Sequence, residues 1–483
     1  MNKQIKEIQP TEIWSNFVEL NAIPRASKKE EQVIAFMKAF GENLGLEVVI
    51  DPVQNVIIKK PATAGMENRK TIVMQSHLDM VHQKNNDTIF DFDTEGIKMY
   101  LDGDWVKAEG TTLGADNGLG VATIMAILES KTIAHPKLEA LFTIDEETGM
   151  TGALGLEAGY LTGDILLNLD TEEDDEITIG CAGGMDVTAT ASYLQQEVSA
   201  NAKAVQITVK GLIGGHSGGD IHLELGNANK LMNRIMYATQ DDISISSIDG
   251  GSLRNAIPRE SNAVVLINNE EAFLYKFNKL VAEIKIEYAK VEPDLEIYFK
   301  EVSTPNTVLP KADAKKLLQV IYLTFNGLYR KSPDIEGLTE TSNNLARVKV
   351  GTGEFEIMCL SRSALESGKY DMINMLTSGF ELAGYEVSLS GDYPGWKPNP
   401  DSSILKTLVA KYKEVFNAEP KVMATHGGLE CGILGTHYPE MEMISFGPTI
   451  RGAHSPDERA CISSTQKYWK FVLEVIKDIP FKV

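Results

Sequence analysis

In the first part of the chain, short apolar runs alternate with helical patterns, and this order predicts a parallel sheet. The runs TIVMQ (71–75), ALFTI (140–144) and DILLNL (164–169) are rich in Ile, Leu and Val and show no regular polar alternation. Uninterrupted apolar runs of this kind are typical of strands that are buried in a parallel sheet. Between the first two, GLGVATIMAILES (118–130) has the length and period of a helix. The order predicts βαβ units from about Thr11 to Gly184.

The pattern changes after GCAGGMD (180–186). AVQITVKG (204–211) and AVVLINN (263–269) mix apolar and polar residues, as half-exposed antiparallel strands do, and residues 271–291 form a long amphipathic helix pattern. Strand–helix–strand patterns occur twice, over 262–299 and 355–390. The repeat suggests two related halves, although the sequence identity between them is too weak to establish a duplication.

A cluster of Pro and Gly, GDYPGWKPNPDS (391–402), predicts a linker. It is followed by a helix pattern, the short strand MEMISFGP (441–448) and a closing helix. If that strand joins the first sheet, the middle of the chain is an insertion. We therefore predict one domain in two parts, 1–185 and 392–483, interrupted by an α+β domain over 186–391.

Composition limits the class of protein. A chain of 483 residues exceeds the usual size of a single core, and 43% hydrophobic with 24% charged residues is ordinary for a soluble globular protein. No run approaches the roughly 18 apolar residues that span a bilayer, and the N-terminal residues lack the apolar block of a secretory signal. The four cysteines show no CxxC spacing, which predicts buried thiols in a reducing cytoplasm. The net charge of −22 argues against nucleic acid and acidic membrane surfaces as partners.

Carboxylates and histidines follow apolar strands or open a helix in five segments. The segments are TIVMQSHLDM with His77 and Asp79, GTTLGADNGLG with Asp116, FTIDEETG with Glu146 and Glu147, LLNLDTEE with Asp170, and ISFGPTIRGAHSPDE with His454. Ligands of open α/β sheets bind outside the carboxyl ends of the strands, so these side chains can converge there.

Each residue also has an ordinary structural explanation. A histidine such as His77 after a strand is usually a hydrogen-bonded structural residue, Asp116 can cap its helix, and Asp170 can belong to a solvated acidic loop with Glu172 and Glu173. The glycines around Asp116 do not form a dinucleotide or phosphate fingerprint, because GxGxxG spacing and GK[ST] are absent. This argues against a nicotinamide oxidoreductase.

Taken together, the five segments indicate a pair of divalent metal ions. Two imidazoles and three carboxylates are standard zinc ligands. If Asp116 bridges, each ion receives one imidazole, one carboxylate of its own and the shared Asp116. Three carboxylates and a hydroxide balance the charge of two divalent ions, whereas the carboxylates alone would repel one another.

The motifs SHLDMV, GTTLGADNGLG, DEETGMTGA, NLDTEE and GAHSPDE, in this order over nearly the full length, resemble those of the co-catalytic zinc peptidases. This family includes aminoacylase, glutamate carboxypeptidase and carnosinase. The resemblance implies an α/β catalytic domain of zinc-peptidase (phosphorylase/hydrolase-like) type with a mainly parallel sheet. It also implies an inserted α+β lid domain with an extended antiparallel sheet. The implied activity is hydrolysis of unblocked dipeptides, of broad or Xaa-His specificity, because relatives of other specificity carry a shorter lid.

The resemblance also implies residue roles. Two Zn²⁺ ions per chain, or Mn²⁺ or Co²⁺ as substitutes, would be held by five side chains: His77 and Asp170 on one ion, Glu147 and His454 on the other, and Asp116 on both. Asp79 would orient an imidazole, and Glu146 would be the general base that acts on a metal-bridging water. Neighbours on an extended chain face opposite sides, but spacing alone does not decide which of the two glutamates binds metal.

In the lid, His216 of GLIGGHSGGD resembles an oxyanion contact, and Asn255 and Arg362 resemble residues that hold the substrate backbone and its terminal carboxylate. In ATHGGLECGI, the Gly428 backbone can approach a ligand and Glu430 can meet the free amine of a peptide. The structural alternatives are a loop residue for His216, a turn residue for Asn255, a surface ion pair for Arg362 and an ordinary loop carboxylate for Glu430.

Other functions remain open at this point. A tripeptidase, an aminoacylase or an amino-acid deacylase would use the same chemistry. A non-enzymatic metal-binding scaffold would lack the base or a ligand, and here all of them are present, which argues against it. The expected partners are small peptides, with no nucleic acid and no membrane. Both a homodimer and a monomer fit, because shorter-lid relatives complete their site with a partner subunit, whereas a doubled lid can supply His216 within one chain.

Overall fold

The computed structural model describes residues 2–198 and 202–482. The strands are β1 (Glu47–Ile50), β2 (Val56–Lys60), β3 (Ile72–His77), β4 (Met99–Asp102), β5 (Trp105–Ala108), β6 (Leu138–Thr143), β7 (Ile165–Asn168), β8 (Glu176–Cys181), β9 (Gly183–Ser192), β10 (Gln196–Glu197), β11 (Ala204–Lys210), β12 (Ile243–Gly250), β13 (Ser261–Ile267), β14 (Glu296–Val302), β15 (Thr307–Val308), β16 (Gly327–Lys331), β17 (Thr339–Gly351), β18 (Glu354–Ser363), β19 (Glu386–Tyr393), β20 (Lys421–Thr425), β21 (Glu442–Ser445), β22 (Ile450–Arg451) and β23 (Arg459–Cys461). The helices are α1 (Asn2–Ile5), α2 (Thr11–Leu20), α3 (Glu31–Asn43), α4 (Ala115–Glu129), α5 (Thr151–Gly155), α6 (Ala228–Thr239), α7 (Glu270–Tyr288), α8 (Lys311–Leu323), α9 (Glu366–Leu382), α10 (Ser403–Phe416), α11 (Glu430–His437) and α12 (Ile462–Lys477).

The chain divides into two compact units. Unit one comprises Met1–Gly180, Pro398–Ala424 and Leu429–Val483, and unit two comprises Cys181–Lys397 and Thr425–Gly428. The boundaries predicted from the sequence, 185/186 and 391/392, fall inside β9 and β19 of unit two, so the units divide slightly outside them. Residues 425–428 also join unit two, because the amide of Ala182 donates to the carbonyls of Thr425 and Gly427 at 3.2 and 3.0 Å.

Unit one is built on the predicted α/β sheet, with the strand order β1-β2-β6-β3-β7-β21-β8-β20. The central strands β6, β3, β7 and β21 are parallel, whereas β1, β2 and β8 pair antiparallel towards the edges. Every position of β3, β6 and β7 is buried, which is why these runs carry no polar alternation. Because β21 pairs with β7, the C-terminal part of the chain completes the sheet that the N-terminal part begins.

Unit two contains an extended antiparallel sheet with the order β14-β11-β13-β12-β17-β18-β9-β19, and β16 beside β17. Two sets of elements mirror each other across the β12–β17 pair. One set is β11-α6-β12-β13-α7-β14 and the other is β9-α8-β17-β18-α9-β19. The strand–helix–strand patterns over 262–299 and 355–390 correspond to the last three elements of each set. Helices α6 to α9 cover this sheet with a continuous apolar core that includes Phe273, Phe277 and Phe380.

Each set begins and ends at one place in the sheet. Ala204, the first residue of β11, pairs with Val302, the last residue of β14. Gly184 near the start of β9 pairs with Tyr393 at the end of β19. The first set is therefore inserted into the second, between β9 and α8. Among the described residues, no helix is long and apolar enough to cross a membrane.

Candidate active site

The predicted metal ligands of unit one lie together at the carboxyl ends of its parallel strands. His77 ends β3, Glu147 follows β6, Asp170 follows β7 and Asp116 opens α4. His454 lies in the turn between β22 and β23. Ligand atoms of His77, Asp116 and Asp170 lie within 4.8 Å of one another, as do those of Asp116, Glu147 and His454. The two groups share Asp116.

Asp116 presents one carboxylate oxygen to each histidine. Its Oδ1 lies 3.1 Å from His77 Nε2, and its Oδ2 lies 3.2 Å from His454 Nε2. A second carboxylate faces each ring: Asp170 Oδ1 is 3.5 Å from His77 Nε2, and Glu147 Oε2 is 3.0 Å from His454 Nε2. This is the arrangement expected of a carboxylate that bridges two cations.

The donor set fits a pair of divalent metal ions. His77 Nδ1 lies 3.1 Å from the carbonyl oxygen of Asp79, so a neutral ring carries its proton on Nδ1. Its Nε2 lone pair then faces the oxygens of Asp116 and Asp170, a repulsive contact unless a positive charge lies between them. Buried Glu147 Oε1 also has no hydrogen-bond partner within the described structure.

The electrostatics of the cluster indicate the same need for positive charge. Burial lowers the pKa of His77, but Asp170, Asp116 and Asp79 outweigh it and raise that pKa well above its ordinary value. Hydrogen bonds to Asp116 and Glu147 raise the pKa of His454 to about 11. Without a metal, the carboxylates would therefore hold both rings in the protonated form.

Two further carboxylates lie at the cluster. Burial, with Asp170 and Glu147 nearby, raises the pKa of Glu146 well above its ordinary value against the opposing effect of His77. Burial, followed by the proximity of Asp116, raises the pKa of Glu172 to about 8. The sequence suggested Glu172 only as part of a solvated acidic loop, whereas in the structure it is half-buried and lies near Asp116 and Asp170.

Asp79 connects His77 to both glutamates. Its side chain is fully buried, and its Oδ1 and Oδ2 accept hydrogen bonds from the amides of Glu146 at 3.0 Å and Glu147 at 3.3 Å. Ser27 Oγ donates to Oδ2 at 2.8 Å. The carboxylate lies 3.4 Å from His77 Nδ1, slightly further than the carbonyl oxygen of the same residue. Asp79 therefore fixes the turn that carries both glutamates as well as the imidazole beside it.

In unit two, the hydrogen bonds of His216 define its tautomer. His216 Nδ1 accepts from the amides of Gly218 at 3.2 Å and Gly219 at 3.0 Å, so the ring proton of the neutral form is on Nε2. The side chain is exposed, as is that of Asn255, whose carbonyl accepts from the amide of Ser217 at 2.7 Å. His216 thus presents a donor, which an oxyanion contact requires.

Arg362 is a buried cation of unit two. It is 4% exposed, and its guanidinium donates to Tyr393 Oη at 2.7 Å and to Ser217 Oγ at 3.3 Å. No carboxylate of the described residues lies within ion-pair distance of it. The alternative of a surface ion pair is therefore wrong. A buried guanidinium without a carboxylate is suited to an anionic ligand.

The segment 424–432 is divided between the units. Gly428 is half-buried in unit two, whereas Glu430 begins α11 in unit one. The carboxylate of Glu430 is 0% exposed and accepts from Gln75 Nε2 and Thr143 Oγ1, both at 2.6 Å, and burial raises its pKa to about 8. A fully buried carboxylate does not reach a peptide amine, so the structure does not support that role.

His426 of the same segment was missed by sequence reasoning. It is buried, its Nε2 lies 2.8 Å from Ser342 Oγ, and burial with Arg362 nearby lowers its pKa to about 3. The only signal for it in the sequence is its place directly before Gly427 and Gly428.

Comparison with known proteins identifies the relatives of this chain. The model of peptidase family M20/M25/M40 matches residues 73–478. The cytosol non-specific dipeptidase of Escherichia coli (strain K12) is 42% identical over 483 residues, which cover 99% of this chain and 100% of that protein. The crystal structure of aminoacylhistidine dipeptidase from Vibrio alginolyticus has a TM-score of 0.90 and 44% identity, with 99% of each chain covered.

A more distant match shows how widely the fold occurs. A tripeptidase from Staphylococcus aureus covers 98% of this chain and 99% of its own at a TM-score of 0.57, with 17% identity, and so shares the fold alone. The family match, by contrast, includes every residue of the clustered carboxylates and histidines from His77 to His454. With that match and a relative aligned end to end, the chain belongs to peptidase family M20/M25/M40.

Proposed function

We propose that this protein is a dinuclear metal-dependent dipeptidase that hydrolyses unblocked dipeptides. The observation that carries the proposal is Asp116, which turns one oxygen to His77 and the other to His454, while each ring faces a second carboxylate. The E. coli and V. alginolyticus relatives, both named as dipeptidases and matched over nearly their full lengths, support the substrate class.

In this proposal, five side chains would hold two Zn²⁺ ions, for which Mn²⁺ or Co²⁺ would be substitutes. The ligands are His77 and Asp170 for one ion, Glu147 and His454 for the other, and Asp116 for both. When bound, such ions polarise a carbonyl and lower the pKa of water from 15.7 to about 7. Asp79 holds the backbone of both glutamates and thereby sets where their carboxylates lie.

We assign the general base to Glu146. The side chain of Glu147 is 4% exposed and bonded to His454, so its carboxylate is committed to the cluster. Glu146 is half-buried and lies within 4.8 Å of His77 and Glu147 without an ion pair to either histidine. Its carboxylate is therefore placed to take a proton from water and later to give it to the leaving amine.

The polar residues of unit two bind the substrate in this proposal. The Nε2–H of His216 donates to the scissile carbonyl oxygen as negative charge develops on it. Arg362 binds the terminal carboxylate, and Asn255 and the Gly428 backbone contact the peptide backbone. A dipeptide places its carboxylate one residue beyond the scissile bond, so a fixed guanidinium measures substrate length.

We place the protein in the cytoplasm. Three of its cysteines are buried and the fourth is partly exposed, as in proteins that function with reduced thiols. The name of the E. coli relative supports the same compartment. The proposed chemistry is the same for a monomer and for a homodimer.

Metal analysis combined with turnover tests the proposal. We expect about two divalent ions per purified chain and cleavage of Ala-His and Ala-Gly. Chelation should abolish turnover, and added Zn²⁺ should restore it. Tri-alanine and N-acetylalanine, assayed in parallel, separate the dipeptidase from the tripeptidase and deacylase alternatives.

Asp116→Asn is the matched variant for this test. It removes the charge of the shared ligand at almost constant volume and should lose both turnover and metal while the protein stays folded. A folded wild-type chain that takes up no metal, or one that cleaves N-acetylalanine faster than any dipeptide, would contradict the proposal.

A further inference from the structure

A buried carboxylate outside the proposed ligand set, that of Glu458, lies against the backbone of the loop that carries Asp116. Glu458 is 2% exposed. Its Oε2 accepts from the amides of Leu113 at 2.7 Å and Gly114 at 2.9 Å. Its Oε1 accepts from the amides of Ala115 at 2.7 Å and Asp116 at 3.2 Å. One carboxylate thus binds four consecutive N–H groups that end at the shared ligand.

A buried guanidinium binds the carbonyl side of the same loop. Arg25 is 1% exposed, and its Nη2 donates to the carbonyl of Gly114 at 2.5 Å. Its Nη1 donates to the carbonyls of Leu78 at 3.1 Å and Asp79 at 3.2 Å, directly after His77. Arg25 therefore joins two segments that each carry a proposed ligand.

Gly114 is required for this close approach. Its φ is 69°, a conformation that side chains disfavour, and a Cβ at this position would lie 2.5 Å from Arg25 Nη2. Glu458 lies at the foot of the β22–β23 turn that holds His454, and its amide donates to the carbonyl of Ser455 at 3.0 Å. The same carboxylate thus relates the backbone of Asp116 to the segment of His454.

We infer that Glu458 and Arg25 are positioning residues that hold the Asp116 carboxylate where it would bind both metal ions. The inference rests on the proposed function, since it concerns the affinity of the site for those ions. A bridging carboxylate tolerates little displacement, because a shift towards one ion is a shift away from the other. Hydrogen bonds to the N–H and C=O groups of one short loop remove this freedom.

A simpler explanation is that Glu458 only stabilises the start of α4. Carboxylates commonly bind the first N–H groups of a helix and stabilise it. The two explanations differ in what they predict for the metal-free and metal-bound forms. A helix cap affects the stability of the fold alone, whereas a positioning residue also changes the affinity for metal.

Two variants test the inference. Glu458→Gln keeps one acceptor oxygen for two of the four N–H groups and turns an NH₂ group towards the other two. Arg25→Lys keeps the charge but loses the planar fork that reaches both segments. The control is Glu139→Gln, which changes a fully buried carboxylate of unit one that accepts from the amide of Thr162 at 2.7 Å.

The measurement is Zn²⁺ affinity of the full-length metal-free protein, by competition with a chromophoric chelator and without substrate, together with the melting temperature of that form. We expect Glu458→Gln and Arg25→Lys to weaken the binding of at least one ion by about 10–100-fold. Glu139→Gln should bind both ions like the wild type, even where it lowers the melting temperature.

Wild-type Zn²⁺ affinity in both site variants would overturn the inference and leave Glu458 as a helix cap. If Glu458→Gln does not fold, Arg25→Lys decides by the same criterion. A wild-type chain that binds no Zn²⁺ would overturn both the proposed function and the inference. If the wild type binds Zn²⁺ and both variants bind it with the same affinity, the inference alone is overturned.

Discussion

Arg362→Met gives the sharpest test of substrate binding, because activity and stability should respond differently. The substitution keeps much of the side-chain length but removes the charge and the hydrogen bonds to Tyr393 and Ser217. Burying a charge without a carboxylate partner opposes folding by several kcal/mol, whereas two lost hydrogen bonds destabilise by about 1 kcal/mol each. We therefore expect the free energy of unfolding to stay unchanged or to rise.

The expected loss of activity follows from the ion pair that the substrate carboxylate would form with Arg362. Removing one partner of a buried, hydrogen-bonded charge pair costs about 2–5 kcal/mol. At about 1.4 kcal/mol for each factor of ten, kcat/KM for a free dipeptide should fall roughly 30- to 4,000-fold. The same dipeptide with an amidated C-terminus lacks the carboxylate, so its kcat/KM should change far less.

The assay compares kcat/KM for the acid and the amide in the wild type and the variant. The acid-to-amide ratio should be high in the wild type and should approach one in Arg362→Met. Arg254→Met is the control, because Arg254 Nε lies 3.2 Å from Asp186 Oδ2 and its loss leaves a carboxylate unpaired. It should lower stability and keep the ratio. An unchanged ratio in Arg362→Met would refute the assignment of Arg362 to the carboxylate.

Three further predictions concern single side chains. Glu146→Gln should keep both metals by elemental analysis but lower kcat by about 10²–10⁴-fold, and normal turnover at full metal content would contradict its role as base. Burial lowers the pKa of His426 to about 3 in the folded protein, so below pH 6.5 the unfolded chain binds one proton more than the folded chain. The free energy of unfolding should therefore fall by about 1.4 kcal/mol for each pH unit below 6.5. In His426→Gln the melting temperature should depend less on pH, and an unchanged pH dependence would contradict this. Glu292 accepts from the amides of Ile213 and Gly226, both at 2.7 Å, at the two ends of the loop that carries His216. Glu292→Gln should speed proteolytic cleavage of that loop without changing metal content, and an unchanged cleavage rate would contradict this role of Glu292.

The parallel strands of unit one and the residues after them were predictable because their signals are local. An uninterrupted apolar run shows that a strand is buried, and the polar residues that follow β3, β6 and β7 must lie at one edge of the sheet. His77, Glu147 and Asp170 could therefore be grouped before any contact was known. The position of the Asp116 carboxylate between His77 and His454 depends on distances, and only the structure supplies these.

Residues whose environment depends on distant parts of the chain could not be assigned in this way. Glu430 looks like a loop carboxylate in sequence, but Gln75 and Thr143 from the central strands enclose it. The carboxylate of Glu458 and the loop that it binds are more than 300 residues apart in sequence, at 458 and 113–116. No periodicity or spacing reports such a contact. The sequence pattern indicates which groups are present, and packing decides which of them are accessible.

The pairing of Ala204 with Val302, and of Gly184 with Tyr393, shows how the chain can accommodate one domain inside another. A segment whose two ends are neighbours in a sheet can be added to a host without separating the host residues on either side. Each of the two nested sets of unit two therefore enters and leaves its host at one point of the sheet. Residues 204–302 nevertheless share one apolar core with the second set, so the two sets are expected to fold together although their chain ends would allow separation.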